Sequence, residues 1–199
     1  MRLNASFAKA WLLPAIIAAS SLAVMAGGAP AAAALRYDRK AVLSGEAWRL
    51  VTGHFVHADW PHLAWNLAGL LLVFALFSRE YSPRSWIVLM LASTAAIGVG
   101  FLLFEPDLAW YVGLSGLLHG LLAAGLVAWL SVRRDPLTVG VTVVFVAKLV
   151  WEHFRGPLPL TADTLSVPVI HAAHTYGALG GTLGALVLLA RRHRPAAPL

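Results

Sequence analysis

Apolar residues run along this chain in stretches close to a bilayer crossing in length, interrupted by short polar clusters. Six spans are predicted: Trp11 to Ala34, His62 to Phe77, Ser85 to Phe104, Leu114 to Ser131, Leu137 to Trp151 and Pro168 to Ala190. The connections read "SREYSPR", "EPDLAWYVG", "RRDP" and "RGPLPLTADTLSV", with one long loop from Leu35 to Pro61. Several spans contain Gly or Pro, which membrane helices tolerate because neighbouring helices re-satisfy the backbone groups so freed. The pattern predicts an all-α membrane protein in which residues 1–199 form one domain, with no soluble domain and no internal repeat. The first stretch also has the basic start, apolar middle and small-residue end of a signal peptide. Its apolar character continues through Ala31 to Ala34, which favours a retained helix.

Composition agrees with the pattern, since 59% of the 199 residues are hydrophobic and only 12% are charged, too few to cover a soluble surface. The absence of cysteine excludes disulfides, thiolate metal sites and thiol nucleophiles. The net charge of +6 would suggest nucleic acid, but the basic residues flank apolar spans rather than forming a patch, so no nucleic-acid partner is expected. Counted by alternate loops, Arg2, Lys9, Arg79, Arg84, Arg133, Arg134, Arg191, Arg192 and Arg194 fall on one side. Arg36, Arg39, Lys40, Arg49 and Arg155 fall on the other. The excess places both termini in the cytoplasm, and the second, fourth and sixth spans then begin at the same outer leaflet.

The polar residues in those three first turns are His62 and Asn66, Ser115 and His119, and His171 and His174. Polar side chains are costly in lipid and normally face a bundle interior or a water-filled cavity, so their gathering at one depth indicates a site. A serine is a nucleophile when a base takes its proton, and histidine suits that task near neutral pH. His119, one turn along Ser115's own helix, and His174, on another span, both qualify. His62 and Asn66, four residues apart, offer donors for an oxyanion, and the Ser115 backbone N–H near a helix N-terminus offers another. No Asp or Glu lies in these first turns, so the expected unit is a Ser-His dyad without an acid. Gly116 and Gly120, with Gly177, Gly181 and Gly184, form small-residue stripes that let the fourth and sixth spans approach closely. The sequence around Ser115 is not the G-x-S-x-G of α/β-hydrolases, because Leu117 stands two residues after the serine.

These residues resemble the rhomboid intramembrane serine proteases. "GLSG", spanning Gly113 to Gly116, looks like their nucleophile motif, and "AHTYGALGG" looks like their pattern around the base. "HADWPHLAWN" and "EAWRLVTGHFVH" look like their second span and its entry. The resemblance implies a six-helix rhomboid-like bundle with Ser115 as nucleophile, His174 as base, His62 and Asn66 as oxyanion donors, His57 in a supporting place, and no cofactor. Many rhomboids carry an aromatic residue where this chain has His119. "GLSGLLHG", together with "KLVWEH" on the fifth span, looks like the rhombosortase subfamily. That resemblance implies exported protein substrates ending in a Gly-Gly motif, one transmembrane helix and a basic tail, cleaved at the periplasmic side of a bacterial inner membrane. A general rhomboid protease acting on other single-span proteins is the alternative.

Lys148 and Glu152, spaced i and i+4 near the outer end of the fifth span, are expected to form an intramembrane ion pair, with substrate recognition as a secondary role. The outer histidines His54, His57, His62, His119, His153, His171 and His174 also invite a metal or haem site. No H-E-x-x-H occurs and no acidic ligand is expected among them, so no metal is predicted. A rhomboid-like chaperone is disfavoured because the serine and histidine are both present.

Overall fold

The computed structural model describes residues 5–158 and 167–192. Arg2, Arg194 and most of the "RGPLPLTADTLSV" connection therefore lie outside the described residues. Within them the chain forms α1 (Ala5–Ala26), α2 (Gly28–Leu35), β1 (Tyr37–Asp38), α3 (Arg39–Leu43), α4 (Arg49–Thr52), α5 (Trp60–Phe77), α6 (Pro83–Phe104), β2 (Trp110–Tyr111), α7 (Ser115–Val132), α8 (Pro136–Arg155) and α9 (Ala172–Arg192). Helices α5 to α9 are each long and apolar enough to cross a membrane, and α1 with α2 supplies a sixth crossing if the bent pair is taken together. The fold is an all-α membrane bundle, as expected.

Three predicted boundaries are corrected. The first span is not one helix to Ala34: it bends by 118° between α1 and α2. Gly28 sits at the break with φ +61°, a conformation that glycine adopts without the clash a side chain would bring. The loop from Leu35 to Pro61 is structured, holding α3, α4 and a 3-10 turn at Gly53–Phe55. It is also tied by β1 to the segment before α7, with Tyr37 opposite Tyr111 and Asp38 opposite Trp110. The sixth span becomes helical only at Ala172, so Pro168 to His171 lead into α9 rather than forming its first turn.

Local chemistry fixes where the spans start. Asp59, Ser82 and Asp135 each accept a hydrogen bond from the backbone N–H three residues on, capping α5, α6 and α8, and each of these helices has proline in its first two positions. A side-chain acceptor at the cap and a proline whose missing N–H is not needed there define a sharp helix entry.

Helices α7 and α9 are in the closest contact. A Cβ built on Gly116 would stand 2.9 Å from the Ala173 Cβ and 3.0 Å from its carbonyl oxygen. One on Gly177 would run into the Gly116 carbonyl, and one on Gly181 into that of Gly120. The small-residue stripes thus lie face to face and bring the two backbones together. Gly184 departs from this, facing Ala92 and Leu89 of α6 instead. Below the seam the core is apolar, with Leu117, Leu121 and Ala124 of α7 packed among Phe74, Phe77, Trp86 and Leu89 of α5 and α6.

Candidate active site

Ser115 is the first residue of α7, and Gly113 just before it has φ +120°. A Cβ on Gly113 would stand 2.7 Å from Nε2 of His62, so glycine is required both for the turn and for the imidazole to lie against it. Two hydrogen bonds pin the turn: Tyr111 donates its hydroxyl to the Gly113 carbonyl at 2.6 Å, and the Gly113 N–H donates to the Gly53 carbonyl at 3.1 Å. His54 packs edge-on against the Tyr111 ring, with centroids 5.6 Å apart. Tyr111 escaped the sequence reading as a site residue, and His54 entered it only through a motif and as one of the histidines that invite a metal. The signal for Tyr111 was position alone, on a loop that the β1–β2 pairing joins to the one carrying His54.

His174 enters from the first turn of α9, across the glycine seam, and its Nε2 lies 2.9 Å from the Ser115 Oγ. On the opposite edge of the ring, Nδ1 lies 2.8 Å from Oε2 of Glu152. The expected dyad without an acid is therefore corrected: the acid comes from the C-terminal end of α8, which lies beside the N-terminal ends of α7 and α9, so the first turns of the helices do not contain it. Facing a carboxylate, Nδ1 carries the proton and Nε2 is left to accept from the serine hydroxyl.

The remaining polar atoms complete one set. Lys148 donates to Glu152 Oε2 at 2.6 Å and to His119 Nε2 at 2.8 Å, and His119 Nδ1 donates to the Ser115 carbonyl at 2.7 Å. Each imidazole thus has its tautomer set by a neighbour that can only donate or only accept. The His119 ring lies on that of His174 with centroids 4.0 Å apart. The expected i,i+4 ion pair of Lys148 and Glu152 is present, but it is also bonded to both histidines. One ligand atom each from His119, Glu152 and His174 lies within 4.8 Å of the others, a spacing that could hold a metal ion. The expectation that no acid stands among the histidines is corrected here too, and in this structure the Lys148 ammonium holds the cation position between them.

His62 and Asn66 occupy the first turns of α5 and line the same cavity as Ser115 and His174, a space of about 240 Å³. The Ala58 N–H approaches His62 Nδ1 at 3.5 Å, which leaves Nε2 as the donor edge beside Gly113. Asn66 spends one amide N–H on the His62 carbonyl at 2.9 Å and keeps the other. His57 stands edge-on to His62 at 5.1 Å between ring centroids, held by a 3.2 Å hydrogen bond from Nδ1 to the Phe55 carbonyl. His171 is half-buried in the turn before α9, and His153 is exposed on α8 beside Phe154. The cavity runs from the polar cluster down an apolar wall that includes Leu72, Leu118 and Leu122. A hydroxyl, an imidazole nitrogen positioned to accept its proton and donors lining the same cavity are the parts that acyl transfer needs.

The Rhomboid domain family matches residues 44–191 of this chain. The chain is also 28% identical over 159 residues to the putative rhomboid protease YdcA of Bacillus subtilis, covering 77% of this chain and 73% of that protein. It is 29% identical over 110 residues to the rhomboid protease GluP of the same organism, covering 55% of this chain and 21% of that longer protein. With a partly buried serine in hydrogen-bond contact with a buried histidine inside a membrane bundle, and this family matched over most of its length, the chain belongs to the rhomboid family of intramembrane serine proteases.

Proposed function

We propose that Ser115 is the nucleophile and His174 the general base of an intramembrane endopeptidase whose single domain spans residues 1–199. Ser115 Oγ attacks the scissile carbonyl as its proton passes to His174 Nε2. His62 Nε2 and the free N–H of Asn66 hold the developing oxyanion. The C–N bond then breaks, His174 returns the proton to the leaving amine, and water hydrolyses the acyl-enzyme by the same steps in reverse order. The 2.9 Å approach of His174 Nε2 to Ser115 Oγ carries this assignment.

The substrates we propose are exported proteins with a C-terminal Gly-Gly motif, a transmembrane helix and a basic tail, cleaved at the periplasmic side of the inner membrane. Supporting this are the "GLSGLLHG" and "KLVWEH" stretches, which resemble rhombosortases. His119, Lys148 and Glu152 of those stretches all bond within the one cluster. The experiment is co-expression of this chain with such a tailed protein and with a single-span protein lacking the Gly-Gly motif. Cleavage of the first alone supports the specificity; equal cleavage of both makes it a general rhomboid protease. Unchanged cleavage by a well-folded Ser115→Ala variant would overturn the nucleophile itself.

A further inference from the structure

Helix α8 is attached to the bundle along one narrow seam. Its buried residues are Thr138, Phe145 and Glu152, seven apart. Val141, Thr142, Lys148 and Leu149 are half-buried beside them, and every other residue of the helix is exposed. Lipid is as apolar as a leucine side chain, so apolar contact gives no hydrophobic drive for a membrane helix to dock, and hydrogen bonds between helices carry correspondingly more of the association. At the outer end of α8 those bonds are the ones that Lys148 and Glu152 make to His119 and His174. The residues that attach this end of the helix are the same ones that touch the imidazole.

We infer that Glu152, clamped by Lys148, is the positioning residue for His174, and that the imidazole is held in its proton-accepting orientation only while the outer end of α8 is docked. The inference rests on the assignment of Ser115 and His174 above. Glu152 fixes the proton on Nδ1 and so presents a bare Nε2 to the serine. When the serine proton arrives there, the imidazolium that forms lies against the carboxylate. Lys148 serves the pair in two ways. It compensates the Glu152 charge in the resting state, and by donating to His119 Nε2 it leaves that imidazole without an acceptor nitrogen, so His119 does not compete as a base. Movement of α8 away from α7 and α9 withdraws the carboxylate and the ammonium together and leaves the His174 ring with no partner to set its tautomer.

The test joins kinetics to a distance. Because the chain has no cysteine, introduced pairs carry spin labels cleanly. Ala64→Cys with Phe154→Cys spans the outer ends of α5 and α8, and Leu76→Cys with Val139→Cys spans their inner ends; all four positions are exposed. In Glu152→Gln we expect kcat to fall about 10²-fold or more with KM nearly unchanged, the outer distance to lengthen and broaden, and the inner distance to stay. Glu152→Asp should recover part of kcat. Wild-type kcat in Glu152→Gln overturns the positioning role, as does a change confined to KM. A kcat loss with an unmoved outer distance overturns the link to docking. If Glu152→Gln does not fold, Lys148→Gln takes its place with the same two readouts and the same overturning results. The distances are read without turnover, so failure of the Ser115 and His174 assignment, which Ser115→Ala reports, is distinguishable from failure here.

Discussion

The imidazole of His119 lies flat against that of His174, with ring planes 10° apart, and the Phe145 ring also stacks on His119 with centroids 5.9 Å apart. Only one of the two rings reaches the serine hydroxyl. His174 presents Nε2 to Ser115 Oγ, while His119 turns Nδ1 to the Ser115 carbonyl and Nε2 to Lys148.

That difference orders three variants. His174→Ala should reduce labelling by a fluorophosphonate by about 10²- to 10⁴-fold, the range of general-base contributions. His119→Tyr should stay within about tenfold of wild type, because a flat ring with a polar tip can still stack there. His119→Ala, which leaves a gap beside the base, should fall between them. Labelling rates for the three in one detergent at one pH decide it, and rapid labelling of His174→Ala beside a silent His119→Tyr would reverse the two roles.

At the glycine seam, Gly177→Leu should disable the protein by separating α7 from α9. The added side chain meets the Gly116 backbone rather than a flexible group. We expect a loss of stability of about 1–3 kcal/mol and a larger loss of activity, since Ser115 and His174 are joined across this contact. Denaturation in detergent together with labelling measures both, and a variant at full activity would contradict the seam.

Stability should fall in mildly acidic solution through the outer-loop histidines. Burial pushes both His54 and His57 down to about 4 from the ordinary 6.5. The buried rings are neutral, whereas the unfolded chain takes up protons near 6.5. The stabilisation they bring is therefore complete above about pH 6.5 and lost as pH falls toward 4, on the order of 3 kcal/mol for each ring. His54→Gln should flatten the decline of Tm between pH 7 and 4.5, and identical slopes for variant and wild type would rule the effect out.

Topology gives a further expectation. Asp38, which caps α3 and pairs in β1 with Trp110 beside the active-site turn, should face the periplasm. A cysteine placed at Asp38 should react with an impermeant reagent in intact spheroplasts. Protection before lysis and labelling after it would invert the orientation.

Hydropathy found the spans because lipid imposes one requirement on every residue of a crossing. It overran at Ala31 to Ala34 because alanine is apolar whether a helix continues or turns, and the φ of Gly28 makes the turn. Ser115, His174, His62 and Asn66 were legible together because all four lie near helix N-terminal ends that meet at one cavity. Glu152 was read only with Lys148, since i,i+4 spacing reports neighbours along one helix and is silent about what the adjacent helices place opposite. The role of Tyr111 was hidden for a similar reason: a two-residue bridge leaves almost no trace in a pattern.

The hydroxyl, the carboxylate and the imidazole come from α7, α8 and α9, in the order in which the chain is made. On the assignment proposed above, a growing chain has its serine long before its base: 59 positions separate Ser115 from His174, several seconds of synthesis at roughly 5–20 residues per second. Until α9 enters the bilayer and meets α7 along the glycines, His174 cannot reach the Ser115 hydroxyl. On that assignment, insertion of the last described helix is the step that arms the enzyme.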